Sequence, residues 1–186
     1  MGYGVCQTPK NNSTIGEKMK IGYYIHSLSI GGAETLVVEY LITLKEKGHH
    51  VFLITDQSCG SFLEKRILDN DIKIYYLDSK MPNSGLAMML WKVKLRLTSY
   101  SDKINRIISF ETPDVLHAHS SIARLAGISF QSNQIYFTIH SDVDRYLGMI
   151  KKHERRVLAT LARNGIHFIV LTEMAKEKIS SPFGST

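Results

Sequence analysis

The chain has 186 residues, of which 44% are apolar, 22% charged and 9% aromatic. That is about one ordinary domain's length, roughly 100–200 residues, with the make-up of a globular protein, so a second full-sized domain, a fibrous chain and a disordered chain are excluded. The net charge of +6 is uneven: residues 86–110 carry +4, residues 145–164 carry +5, and the remainder sums to −3.

Two basic segments on a mildly acidic background fit an anionic partner at one surface, or solvated helix faces, and both readings stay open. Cys6 and Cys59 stand in unrelated contexts, which predicts neither a disulfide framework nor a zinc site and suits a reducing compartment. No apolar run approaches the roughly 18–20 residues of a membrane span, and the N-terminus lacks a signal peptide's apolar stretch, so a cytoplasmic location is expected.

Taken in chain order, residues 1–18 are polar and aperiodic and read as a disordered N-terminal extension, with the folded domain over 19–186. The runs KIGYYIHSL (20–28), HVFLIT (50–55), KIYYLD (73–78), DVLHAH (114–119), QIYFTIH (134–140) and HFIVLT (167–172) are short, β-branched or aromatic and mostly continuous. These features predict buried parallel strands. Helical periodicity falls between them over 33–47, 61–70, 86–109, 120–130 and 146–164, with Val37, Tyr40, Leu41 and Leu44 marking the first. Strand–helix alternation of this kind predicts an α/β fold with a doubly wound parallel sheet.

In such a sheet the site is expected beyond the carboxyl ends of the strands. The first of these loops, Ser27 to Glu34, places Gly31 and Gly32 at a helix start, where unobstructed backbone N–H groups and the helix dipole favour an anion; a plain tight turn reads the same way. The loop is not G-x-G-x-x-G, so a nicotinamide cofactor has little support, although Asp56 ends the second strand where a ribose-binding acid would stand. His26, His119 and His140 fall at the carboxyl ends of three strands, and His117 precedes His119 on the same face. Convergence of three imidazoles favours a site over isolated structural histidines. No metal-ligand spacing, nucleophile elbow or Walker sequence is present, so neither metal, covalent hydrolysis nor a P-loop is expected.

The stretch KIGYYIHSLSIGGAETLVVEYLITLKEKGHHVFLIT resembles the opening of the family-four retaining glycosyltransferases, which take nucleotide sugars as donors. The resemblance continues through PDVLHAHS (113–120), TIHSD (138–142) and FIVLTE (168–173), and so covers about residues 19–180. It implies a Rossmann-like doubly wound sheet that is the N-terminal, acceptor-side half of a GT-B fold, with the C-terminal half absent. By the same resemblance Gly31 and Gly32 lie against the donor diphosphate and transferred sugar. His140 is the catalytic candidate that faces the donor, stabilising negative charge on the departing phosphate. His119, Ser120 and Glu173 look towards the acceptor, with Thr172 standing where the family has a serine. Glu34, in the first turn of a helix, reads as a dipole partner.

The family's second domain, which carries a glutamate pair and the basic residues that neutralise the diphosphate, would follow Thr186. The expectation is therefore a fold without turnover on its own, whether the chain is a fragment, a truncated product or half of a split enzyme. No cofactor beyond the nucleotide-diphosphate sugar substrate is implied. The partners implied are that donor, a glycan or lipid-linked acceptor and a separate C-terminal domain; no nucleic acid is expected. The alternatives are a non-catalytic remnant that binds an acceptor, a membrane or a partner, and half of a sugar-nucleotide epimerase of the same fold.

Family members that build surface polysaccharides often meet lipid-linked acceptors. On a helix drawn over 86–108, Lys92, Arg96, Lys103 and Arg106 share one face, opposite Leu86, Leu90, Val93, Leu97, Ile104 and Ile108. With Trp91 this predicts peripheral contact with the inner face of the membrane, or an ordinary helix packed on the sheet. Glu154 falls in the apolar register of the 146–164 helix and is read as paired with a basic neighbour or near the cleft.

Overall fold

The computed structural model describes residues 17–78, 85, 99–119, 122–129, 134–170 and 172–183. Residues 1–16 of the expected extension, together with Ser120, Trp91, Lys92 and Arg96, lie outside the described residues. The six expected strands all form: β1 (Lys20–Ile25), β2 (His50–Thr55), β3 (Lys73–Tyr76), β4 (Val115–His119), β5 (Ile135–Ile139) and β6 (His167–Val170). They make one parallel sheet in the order β3-β2-β1-β4-β5-β6. The winding direction reverses between β1 and β4, which opens a crevice above their carboxyl ends.

Alternation along the strands feeds two cores. Ile21, Tyr23 and Ile25 of β1 pack with Val37, Val38 and Leu41 of α1 (Gly32–Glu46) and with Leu63 and Ile67 of α2 (Phe62–Asp69). On the other face Tyr24, Leu116 and Phe137 pack with Ile104 and Ile108 of α3 (Tyr100–Glu111), Val143 of α4 (Val143–Met149), Leu158 of α5 (Lys152–Arg163) and Ala175 of α6 (Glu173–Phe183). Gly22 is a packing glycine, because a Cβ there would come within 2.6 Å of the Phe52 ring that lies across β1.

The helices depart from the periodicity in three places. The expected helix over 120–130 is only a short 3₁₀ turn, Ile122–Leu125, and Gly127 sits just past it at φ 77°, a left-handed conformation that a helix cannot continue through. The expected 146–164 helix is two, α4 and α5, broken where Ile150 turns extended (φ −71°, ψ 141°). Among the described residues Glu154 forms no ion pair; its carboxylate accepts the backbone N–H of Lys151 at 2.7 Å and caps α5, close enough for its charge to act on Tyr146. The helix 173–183 carries no apolar stripe strong enough to read from sequence. Ser99, whose hydroxyl accepts the Asp102 N–H, starts α3 in the Ser99–Asp102 stretch where the sequence offers a break in the 86–109 span.

A candidate cleft at the sheet crossover

Register brings the strand ends together: Ile25 of β1 lies opposite His119 of β4, and His119 lies opposite Thr138 of β5. Above them Ala33 and Glu34 at the start of α1, His140 and Ser141 after β5, and Tyr146 of α4 complete a cleft of about 210 Å³. The sequence placed His119 and His140 at this edge, and here they touch, Nδ1 of His119 lying 2.6 Å from Nε2 of His140. Asp142, the last residue of TIHSD, caps α4 by accepting the Arg145 N–H at 3.1 Å, which fixes the turn that carries His140.

Gly31 caps α1 with extended backbone, and its carbonyl accepts both the N–H and the hydroxyl of Thr35. A Cβ on Gly31 would run into the Glu34 carboxylate, whereas a Cβ on Gly32 would meet nothing within 4 Å. Open space therefore faces Gly32 at the N-terminus of a fifteen-residue helix. Glu173 opens α6 past the end of β6; it is exposed and lies 3.6 Å from Lys176.

The histidines divide. His117, His119 and His140 lie in a row along one face, the His117 and His119 rings tilted with centroids 4.2 Å apart and the His119 and His140 rings stacked at 4.9 Å, and Tyr23 stacks on His119. His117 shares a hydrogen bond with the Thr138 hydroxyl at 2.7 Å. Burial holds His117 at about 4, and burial reinforced by the neighbouring imidazoles holds His119 at about 2. Burial also lowers His140, which the Glu34 carboxylate partly offsets. His26 does not join them. It turns instead to Asp56, its Nδ1 donating at 2.8 Å, and this pairing raises its pKa.

Asp56 is buried and fully engaged, which removes it as a ribose-binding acid. Besides His26 it accepts the Tyr24 hydroxyl at 3.0 Å and Arg124 at 2.9 Å. Arg124 lies 3.3 Å above the Tyr100 ring, and Lys103 spans the Leu77 carbonyl and Asp78 at 2.6 and 2.7 Å. This network ties the ends of β1, β2 and β3 to the turn after β4. Sequence reasoning missed Arg124, although a guanidinium inside the apolar Ile122–Leu125 turn was its signal. Glu64 pins the loop after β2: it accepts Ser58, the Cys59 and Gly60 N–H groups and Tyr76, and these donors outweigh burial to hold it at about 2. Lys103 is thus held in an ion pair with a side chain only 20% exposed and does not join a solvated stripe, whereas Arg106 is exposed.

The neutral stack makes the fold acid-sensitive. Unfolded histidines titrate near 6.5, so groups held lower in the native state contribute fully above that pH and lose their contribution as pH falls. At pH 5 protonation of the unfolded chain should cost about 2 kcal/mol for each of His117 and His119. His26, shifted upward, contributes in the opposite sense and offsets a part. Urea unfolding at pH 7 and pH 5 measures the difference; equal midpoints would show that the imidazoles are not held neutral.

Among solved structures the chain is similar to one described as a UDP-N-acetylglucosamine 2-epimerase from Listeria monocytogenes, with 13% identity and a TM-score of 0.59 over 91% of this chain and 43% of that one. It is also similar to a glycosyltransferase from Rickettsia africae, with 18% identity and a TM-score of 0.47 over 92% of this chain and 51% of that one. The first likeness shows the fold, and the chain spans about half the length of both proteins. No curated protein matches it. The profile of Glycosyltransferase Family 4 matches residues 30–186, from the Gly31–Gly32 loop to the last residue, and the chain therefore belongs to glycosyltransferase family 4.

Proposed function

We propose that the chain is the N-terminal half of a nucleotide-sugar-dependent glycosyltransferase whose cleft lies at the β1/β4 crossover. The observation that supports it best is the meeting of Ala33 and Glu34, which follow Gly31 and Gly32 at the start of α1, with the His119–His140 pair around that one crevice. In this reading the Gly31 and Gly32 backbone faces the donor diphosphate and sugar, and His140 donates to oxygen as charge develops on the leaving phosphate. His119, Ser120 and Glu173 lie towards a glycan or lipid-linked acceptor of surface polysaccharide or glycolipid synthesis. No helix among the described residues is long and apolar enough to cross a membrane. Peripheral contact with the inner face of a membrane would then rest on Lys92, Arg96 and Arg106, because Lys103 is committed to Asp78.

Catalysis by differential binding needs groups on both sides of the developing charge, and the opposite wall belongs to the complementary half. Residues 19–186 alone should transfer no sugar from any of a panel of nucleotide sugars, and adding a complementary C-terminal half should restore transfer. Turnover by residues 19–186 alone would overturn the division of labour. Failure of every complementary half would favour a binding role instead.

A further inference from the structure

The placement of one proton between His119 and His140 follows from burial. His119 Nδ1 and His140 Nε2 are 2.6 Å apart, so one of them carries the hydrogen and the other accepts it. If His140 were the donor, a neutral His119 would carry its own hydrogen on Nε2, which is buried and has no hydrogen-bond partner among the described residues. An unsatisfied buried N–H is costly. If His119 donates from Nδ1, its Nε2 is left as a buried lone pair, the lesser of the two losses, because buried N–H groups are left unpaired more rarely than buried acceptors. The other neighbours form no hydrogen bond with Nδ1: Tyr23 stacks on the His119 ring, His117 lies tilted against it, and the Thr138 hydroxyl is engaged by His117. Once His140 Nε2 accepts, the hydrogen of its neutral ring must sit on Nδ1. The Glu34 carboxylate in the same cleft favours the charged ring, but burial outweighs it and favours the neutral one.

We propose that His119 is a positioning residue that, by donating from Nδ1, fixes His140 as a neutral ring with its N–H on Nδ1, so that the cleft meets a hydrogen-bond donor suited to an accepting oxygen such as a phosphoryl oxygen. The use of that donor in transfer rests on the reading of the cleft given above; the proton placement does not.

Long-range ¹H–¹⁵N correlation on the 186-residue chain labelled at histidine reads the placement directly. His140 and His119 are both expected in the Nδ1–H form. His119→Phe keeps a ring against Tyr23 but removes the donor, and should release His140 to the Nε2–H form that a solvated imidazole prefers. His119→Asn, whose amide N–H stands near the position of Nδ1–H, should keep His140 on Nδ1. A wild-type His140 carrying its hydrogen on Nε2, or one unchanged by His119→Phe, would overturn the proposal. In the chain joined to its C-terminal half, His119→Phe should lower kcat towards the loss of about 10²-fold expected for removal of one charge-stabilising donor, and His119→Asn should recover most of it. Tautomers that shift as expected with kcat unmoved would uphold the positioning role and overturn the catalytic reading of the cleft.

Discussion

His140→Ala and Gly32→Val, each introduced into the chain joined to its C-terminal half, are expected to lower turnover of a nucleotide sugar by about 10²–10³-fold, the usual loss for one donor aimed at developing charge. The two act differently. His140→Ala removes a donor and should act chiefly on kcat. Gly32→Val places a branched side chain in the open space before α1, where a diphosphate would approach the backbone N–H groups, and should weaken donor binding as well. Neither should unfold the domain, because a Cβ at Gly32 meets nothing within 4 Å and His140 is not a core residue. Steady-state kinetics with a thermal melt on each variant decides the matter. Near-normal turnover from both would show that the transfer site lies elsewhere, whatever the proton placement on His140.

Asp56→Ala is expected to be a damaging change to stability, costing about 2–3 kcal/mol, because it leaves the buried Tyr24 hydroxyl without an acceptor and the partly buried Arg124 without its counter-charge. Its carboxylate, 5% exposed, is the shared acceptor of Tyr24, His26 and Arg124. Burial alone would raise its pKa, but the hydrogen bond from His26, the Arg124 charge and the Tyr24 hydroxyl outweigh that and lower it. A lowered carboxylate contributes stability above its unfolded value near 3.9 and loses it as pH falls through the native value. The cost of Asp56→Ala should therefore be full at pH 7 and shrink below pH 4. Asp56→Asn, which can still accept from Tyr24, should cost less. A loss under about 1 kcal/mol for Asp56→Ala by urea unfolding at pH 7 would mean that water replaces the pairing, as at an exposed salt bridge.

The strands were legible because each is a short, mostly continuous run rich in β-branched and aromatic residues, and the four inner ones are largely buried in the parallel sheet, whereas β3 and β6 at its edges are partly exposed. The alternation of strand and helix then leaves few topologies, and the carboxyl-end rule pointed to the Gly31–Gly32 loop, His119 and His140 without any structure. Helix ends were less legible. The periodicity of 146–164 does not reveal that Ile150 turns extended, nor that Glu154 caps a new helix, since both depend on backbone geometry rather than on pattern.

Residue types and spacing alone determined the fold class and which strand ends carry an imidazole. Only the tertiary structure decided how those residues pair. His26, His119 and His140 are alike in sequence, each an imidazole at a strand end, yet His26 turns to Asp56 and is raised while the other two stack and are held neutral. The difference comes from what each strand's register places beside it: a buried carboxylate at the end of β2, and a second imidazole at the end of β5. Lys103 likewise belongs to a basic face on a helical wheel and to Asp78 in space. A pKa and a hydrogen-bond partner are set by distance and burial, and neither quantity exists until the strands are laid side by side.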